Sequence, residues 1–531
     1  MKPTISLSSA ATVRPDDEAR RMTRAAGVVA AATLLSRVLG FVRDAVIAWY
    51  FGAGFSSDAF LAAFRIPNLF RRLVGEGVLN SAVVPVFAET LHRGGPEEAQ
   101  RLFGAAARVF AVALAVVCTL GVLGADWLVM LVAPGFAGPK LALTVSLTRL
   151  MFPYLMAAGL MALCMGALNV GGSFAPPALA PALLNVAIIA AVVFLSPHLD
   201  TPVIGLGVGV LAGGIAQVVV QLPFLRRQGF APWRARGFRH PALARIGRLT
   251  VPAMMGGAVY QINILVGTLL ASTLSEGSVS YLYYADRLVE FPLGVVTMTA
   301  ATAVLPSMSR DAAAGNREKV GETFGDAMRL VSFITLPATA GLILLAEPIV
   351  SMLFLRGEFT AGDVRLTAQA LSYYASGLWS FSMVRIGVSA FFALQDARTP
   401  FWAATVCIAA NLLMGVLLMR PLAHGGLALA ASIASTLNLV ILLLVFGRRT
   451  GRMQWGPVAR SVARSALNAA VMAGGLWLLK REMAGQFDGR VLAVGACVGA
   501  GMLLYGAASW ATGSPELRSL ASLGRAGERV R

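Results

Sequence analysis

Charge is what this chain of 531 residues has least of. Only 13% of its residues are Asp, Glu, Lys or Arg, against about a quarter in water-soluble domains. So few charges cannot cover a folded surface in water, which excludes an ordinary soluble enzyme. A mean hydropathy of +0.73 excludes a disordered or collagen-like chain as well. Cysteine and histidine are also scarce, at four each. Cys118, Cys164, Cys407 and Cys497 lie far apart inside apolar runs, with no CxxC or metal-ligand spacing, and read as small buried hydrophobes. His92, His198, His240 and His424 read as lying in connections, so neither a histidine-based nor a metal site is expected. A cleavable signal is missing too: Asp16, Asp17 and Glu18 dilute the basic N-terminus, and Arg37 interrupts the following apolar run. No basic segment alternates with aromatics in an independently folding domain, which argues against nucleic acid as a partner.

What the chain does have is long apolar runs. A membrane crossing needs about 20 mainly apolar residues. Candidates fall at 26–50, 57–90, 104–133, 142–169, 177–196, 202–225 and 244–272. Seven more follow at 279–308, 326–355, 363–394, 399–420, 425–447, 460–480 and 490–511. The class is therefore an all-α polytopic membrane protein with about 14 spans, of which polar residues interrupt the second and eighth.

Basic residues set the orientation. Arg93, Arg101, Arg226, Arg227, Arg245, Arg310, Arg317, Arg398, Arg448 and Arg449 flank or occupy even-numbered connections, whereas odd ones hold few, chiefly Lys140, Arg356, Arg420, Lys480 and Arg481. Both termini are basic, which predicts cytoplasmic ends and an even number of crossings. Most of the net charge of +18 is thus topological.

The basic connection at 229–243 divides the chain into lobes at 26–228 and 244–448, with two further helices at 460–511 and basic cytoplasmic tails at 1–25 and 512–531. A weak internal echo supports a 6 + 6 + 2 plan: Leu168 to Asn185 resembles Leu394 to Asn411. Two six-helix lobes about a central cavity are a common transporter plan.

Ionisable residues inside the runs carry the functional signal. A charge at a helix centre costs about 2.5–3.5 kcal/mol on insertion scales. The first two runs hold Arg37, Arg43, Asp44, Asp58, Arg65, Arg71, Arg72 and Glu76; the eighth holds Asp286, Arg287 and Glu290, and the tenth Arg385. Helical spacing places Arg37 and Asp44 on one face, and Asp58, Arg65, Arg72 and Glu76 on one stripe, although Pro67 makes angles beyond it unreliable. Some of these are expected to be simple ion pairs, such as Arg43 with Asp44. Of these residues, the first two runs hold five arginines against three acids, and an uncompensated cluster of guanidinium groups in an apolar setting asks for an anion; the planar fork of Arg suits phosphate or pyrophosphate.

The stretch from Leu34 to Glu89 contains SRVLGFVRD, FGAGFSSDAFLAAFRIPNLFR, EG and VPVFAE, and Tyr283 to Val295 reads YYADRLVEFPLGV. These segments resemble the lipid II flippase family (MurJ, also called MviN), and the 6 + 6 + 2 layout extends the resemblance over essentially the whole chain. The resemblance implies a multidrug/oligosaccharidyl-lipid/polysaccharide exporter fold. It also implies movement of lipid II, the undecaprenyl-pyrophosphate-linked peptidoglycan precursor, from the cytoplasmic to the periplasmic leaflet of the bacterial inner membrane by alternating access.

Carried over residue by residue, the resemblance makes Arg37, Arg43, Arg65, Asn68, Arg71 and Arg287 the substrate-binding candidates. Asp44, Asp58, Glu76, Asp286, Glu290 and Arg385 become gating or charge-balancing candidates. Arg65 stands where some relatives carry Lys. The last two helices would complete a groove for the lipid tail. Lipid II and membrane lipids are the expected partners, with cell-wall synthesis proteins left open. No cofactor is expected; coupling to the membrane potential or a monovalent cation is left open, since Asp396 is a conspicuous acid without an assembled ligand set. The alternatives are a flippase for another polyprenyl-linked oligosaccharide, or a multidrug antiporter of the same fold. A polyprenyl-phosphate glycosyltransferase is disfavoured by short loops and the lack of a DxD pair, and a non-transporting scaffold is the remaining option.

Overall fold

The computed structural model describes residues 15–72, 79–231, 237–303, 305–450, 455–482 and 491–518, and among these every regular element is helical. The chain forms two compact units, Met1–Leu269 and Leu270–Arg531. In an apolar solvent a helix satisfies all its backbone groups internally, which is why such runs adopt no other form. Eight helices among the described residues are long and apolar enough to cross a membrane.

The first unit runs α1 (Pro15–Phe51), α2 (Phe55–Arg71), α3 (Leu79–Leu123), α4 (Ala125–Val132), α5 (Gly138–Met151), α6 (Tyr154–Val170), α7 (Ala175–Ala190) and α8 (Ile204–Arg227). It also includes the greater part of α9 (Pro241–Ser272). Breaks have local causes. Gly95, at φ +73°, bends α3. Pro153 separates α5 from α6, because it offers no N–H to the preceding turn. Helices α7 and α8 approach closely: a Cβ on Gly209 would lie 3.0 Å from Ile188 Cα, and one on Gly213 2.9 Å from Leu184 Cα. Small residues at four-residue spacing permit such contact where no water drives association. One core gathers Phe87, Phe103, Leu163, Leu168, Leu225 and Phe230.

In the second unit α10 (Ser278–Ala303), α11 (Leu305–Ala313), α12 (Arg317–Leu344), α13 (Ala346–Phe354), α14 (Ala361–Ser376), α15 (Leu378–Ala393) and α16 (Arg398–Thr450) follow the same succession. Helices α17 (Trp455–Glu482) and α18 (Val491–Ala511) come last. At 53 residues α16 is some 80 Å of helix, more than two bilayer cores, and it turns back at Ala423, where φ is 48°. Pairs α3–α4 and α12–α13, and α5–α6 and α14–α15, are each a helix interrupted at a corresponding place. The turn from α6 to α7 and that from α15 to α16 share one geometry. Ser173 N–H donates to Leu168 O and Asp396 N–H to Phe391 O, both at 2.9 Å, around positive φ at Gly172 and Gln395. The stretches 168–185 and 394–411 thus fall on a repeated helix–turn–helix, although the turns match Leu168 with Phe391 rather than with Leu394. Helices α17 and α18 pack with α12 around Phe333, Met472, Leu476 and Tyr505.

Cross-chain ties respect an alternating passage. Even connections bond to even ones: Gln100 with Ala231, His240 with Glu98, Gln228 with Gly171, and Arg449 with Asp396. Odd ends bond to odd ends: Asp58 with Lys140, and Tyr281 with Asp363. His92, read as lying in a connection, is inside α3.

Candidate functional site

In the first unit the embedded charges fall into separate contacts. Arg43 on α1 is buried. Its Nε and Nη2 donate to Asp44 Oδ1 at 2.9 and 2.6 Å, and its Nη1 donates to Asn185 Oδ1 at 3.0 Å. Asn185 on α7 in turn donates to Ser36 O at 3.1 Å. The buried group is electrically neutral, and its guanidinium faces two acceptors rather than lipid, which offsets much of the desolvation cost of each charge. The amide packs beside Gly40, where a Cβ would make an ordinary contact of 3.5 Å with Asn185 Nδ2. Arg37, on the same helix, is exposed.

On α2, Arg65 is half-buried and donates through Nη1 to Ile264 O at 3.1 Å and to Thr268 Oγ1, both on α9. Arg71 donates through Nε to Asn68 Oδ1 at 2.9 Å. Asp58, 2% exposed, pairs with Lys140 of α5 at 2.8 Å. The stripe drawn by ideal geometry over Asp58, Arg65, Arg72 and Glu76 is therefore divided among neighbours: Asp58 engages α5 and Arg65 engages α9. Arg72 Nε is buried without a hydrogen-bond partner, and Glu76 lies outside the described residues.

In the second unit Arg287 of α10 donates to Glu290 Oε2 at 2.8 Å, and to Tyr283 Oη at 3.3 and 3.4 Å. Its guanidinium carbon stands 5.2 Å from the Tyr283 ring centroid. At 31% exposure the side chain stays accessible. Asp286 and Arg385 are exposed on the surface of this unit.

Three partners escaped sequence reasoning. Lys140 reads as an isolated topological charge until folding brings it to Asp58. Asn185 carries no charge, and its one signal is its place at the end of the repeated helix–turn–helix. Tyr283 sits inside the YYADRLVEF segment, one turn from Arg287, where i,i+4 spacing on a helix forecasts the contact.

Asp396 is occupied structurally. Its carboxylate accepts from the N–H groups of Arg398 and Thr399 and from Thr399 Oγ1, and pairs with Arg449 at 2.9 Å. Burial pushes this carboxyl up, but the Thr399 hydrogen bonds, with Arg449 and the Arg398 N–H, outweigh it and hold the group below its ordinary value. Among the described residues no group of three or more His, Cys, Asp or Glu is placed to hold a metal ion.

The family model of the lipid II flippase MurJ matches residues 47–495. The chain belongs to the MurJ lipid II flippase family. It is 36% identical over 504 residues to a probable lipid II flippase MurJ of Vibrio cholerae, covering 92% of this chain and 95% of that one. It is 37% identical over 459 residues to the lipid II flippase MurJ of Burkholderia cenocepacia, covering 85% and 89%. A solved MurJ structure in an inward closed conformation superposes with a TM-score of 0.78 at 26% identity, over 91% of this chain and 97% of that one. An inward-facing multidrug resistance MATE transporter of the MOP superfamily matches at a TM-score of 0.67 and 16% identity, over 81% and 99%, a likeness of fold alone. The MurJ family member described here is accordingly a multi-pass membrane protein with a transporter fold.

Proposed function

We propose that this protein moves lipid II from the cytoplasmic to the periplasmic leaflet by alternating access, without catalysing a covalent step. Arg43, Arg71 and Arg287 grip the pyrophosphate, assisted by Arg37, Arg65 and Asn68. Asp44, Asp58, Glu76, Asp286, Glu290 and Arg385 balance the charge when no cargo is bound or gate access. The lobes are residues 26–228 and 244–448, residues 460–511 accommodate the lipid tail, and both termini face the cytoplasm. Energy comes from the membrane potential or a cation gradient.

The observation that carries this reading is a family match over most of the chain, on a sequence whose embedded arginines already lie on oxygen acceptors. Arg43 is held by a carboxylate and an amide, Arg71 by an amide, and Arg287 by a carboxylate and a phenol. Phosphate oxygens offer guanidinium the same bidentate acceptor geometry as a carboxylate, so cargo exchanges with these partners. For cargo to drive the cycle, its contacts must differ between the two open states. A cation-exporting antiporter is the weaker reading, because an arginine-rich site repels cations.

The test is lipid II exposure on the outer leaflet of cells depleted of the protein, with rescue by wild type or by Arg287→Ala. Exposure should fall on depletion and recover with wild type alone. Unchanged exposure, in cells with no parallel flippase, refutes lipid II as cargo.

A further inference from the structure

The two units contain the same clamp, built from different chemistry. Asp58 is the fourth residue of α2 and Lys140 the third of α5; Tyr281 is the fourth residue of α10 and Asp363 the third of α14. Each pair is bonded, Lys140 Nζ to Asp58 Oδ2 at 2.8 Å and Tyr281 Oη to Asp363 Oδ1 at 2.9 Å, and in each pair the partners are 82 residues apart. The surroundings repeat as well. Phe136 lies four residues before Lys140, its ring centroid 4.6 Å from Nζ. Phe359 lies four residues before Asp363, and both phenylalanines are buried. All four clamp residues are largely sequestered, with Asp58 2% and Lys140 13% exposed by side chain, and Asp363 8% and Tyr281 6% exposed.

We infer that Lys140 and Tyr281 are positioning residues, each locking the start of a helix that carries cargo-binding arginines to its neighbour in the same unit. The inference rests on the flippase reading above. Helix α2 carries Arg65 and Arg71, and α10 carries Arg287. Pro67 has no N–H to offer Ala63 O, so α2 lacks one hydrogen bond between its first turn and Arg71, and its direction is set from that first turn, where Asp58 is held. In α10 the corresponding turn follows Gly277, at φ +89°, a residue with no Cβ to restrict the entry to the helix. A bonded first turn removes that freedom. Lys140 suits the task because its ammonium sits against the Phe136 face as well as the carboxylate, so two different attractions hold one geometry. In α14 the Asp363 carboxylate that accepts from Tyr281 also caps its own helix through Thr360, which makes the anchor rigid.

The experiment uses the full-length protein in lipid vesicles, with the four native cysteines replaced by alanine and spin labels at Ser56 and Ala142. Lys140→Met should broaden the interspin distance distribution, and Lys140→Arg should preserve it. In a vesicle assay with lipid II, Lys140→Met should weaken apparent affinity more than maximal rate, by about ten- to a hundredfold, the scale on which displacement of a positioning group by about 1 Å acts. Lys140→Arg should recover most of that loss. Tyr281→Phe should produce a loss in the same direction. The clamp is overturned if Lys140→Met keeps the wild-type distances, or if Lys140→Arg behaves like Lys140→Met. If the wild type moves no lipid II, the flippase reading falls, and the distance measurements still decide the clamp.

Discussion

Removing the amide of Asn185 tests how the buried Arg43 is held. Asn185→Leu deletes the acceptor for Arg43 Nη1 and the donor to Ser36 O, at 3.0 and 3.1 Å, while keeping a side chain of similar size between α1 and α7. A hydrogen bond to a charged group contributes about 1.5–3 kcal/mol in soluble proteins. Interhelical bonds measured in a membrane protein average about 0.6 and reach about 1.7 kcal/mol. The second scale is lower because a helix released within a membrane finds other partners. A charged donor in this setting should therefore couple to Asn185 by about 1–2 kcal/mol. The assay is a double-mutant cycle of Arg43→Met and Asn185→Leu, read by reversible unfolding in mixed micelles. Arg43→Met alone should be costly, about 3–5 kcal/mol, since it leaves Asp44 buried without its pair. A coupling within about 0.3–0.5 kcal/mol of zero, the range of independent sites, would refute the view that Asn185 holds the guanidinium.

Arg287→Lys keeps the charge and discards the planar fork, so lipid II flipping should fall at least about tenfold while insertion and expression hold; equal flipping by both side chains would mean that a point charge suffices. Asp396 titrates below its ordinary value, so the stability it contributes is fully present above about pH 4 and is lost as pH falls through its lower folded value. Asp396→Asn should remove that part of the acid dependence, measured by unfolding of the purified protein between pH 7 and pH 3. Gly426→Ala puts a Cβ onto the backbone carbonyl of Leu418 at the bend of α16. It should destabilise the second unit by about 1–3 kcal/mol, and an unchanged melting profile would show that the bend is soft.

The apolar runs were legible because a membrane allows one backbone solution per crossing, and among the described residues these runs fall on helices. The broken ones were harder to read. Runs 142–169 and 363–394 look continuous, yet the first is divided at Pro153 and the second at Gly377, where a Cβ would come 2.8 Å from Ser432 Cα. That glycine is dictated by a neighbour 55 residues downstream, which no local pattern reports. The boundary between units shows the same effect. The basic connection at 229–243 is where charge divides the chain, but compactness divides it at Leu269–Leu270, because Leu265 packs beside Ile66 and Thr268 bonds to Arg65.

Composition and spacing by themselves determined the solvent, the helical class and which charges are embedded, since each follows from the cost of placing a given side chain in hydrocarbon, while the family was legible in the resemblance of the segments Leu34 to Glu89 and Tyr283 to Val295. Only the tertiary structure decided what those charges touch. Asp58 could have answered to Arg65 on its own helix, and instead it answers to Lys140; Arg43 is held by an uncharged amide 142 residues away. A charge in an apolar medium must find a partner, so its presence is a local fact that sequence displays. The partner is whichever polar group the packing of other helices delivers, and that choice is made by the fold.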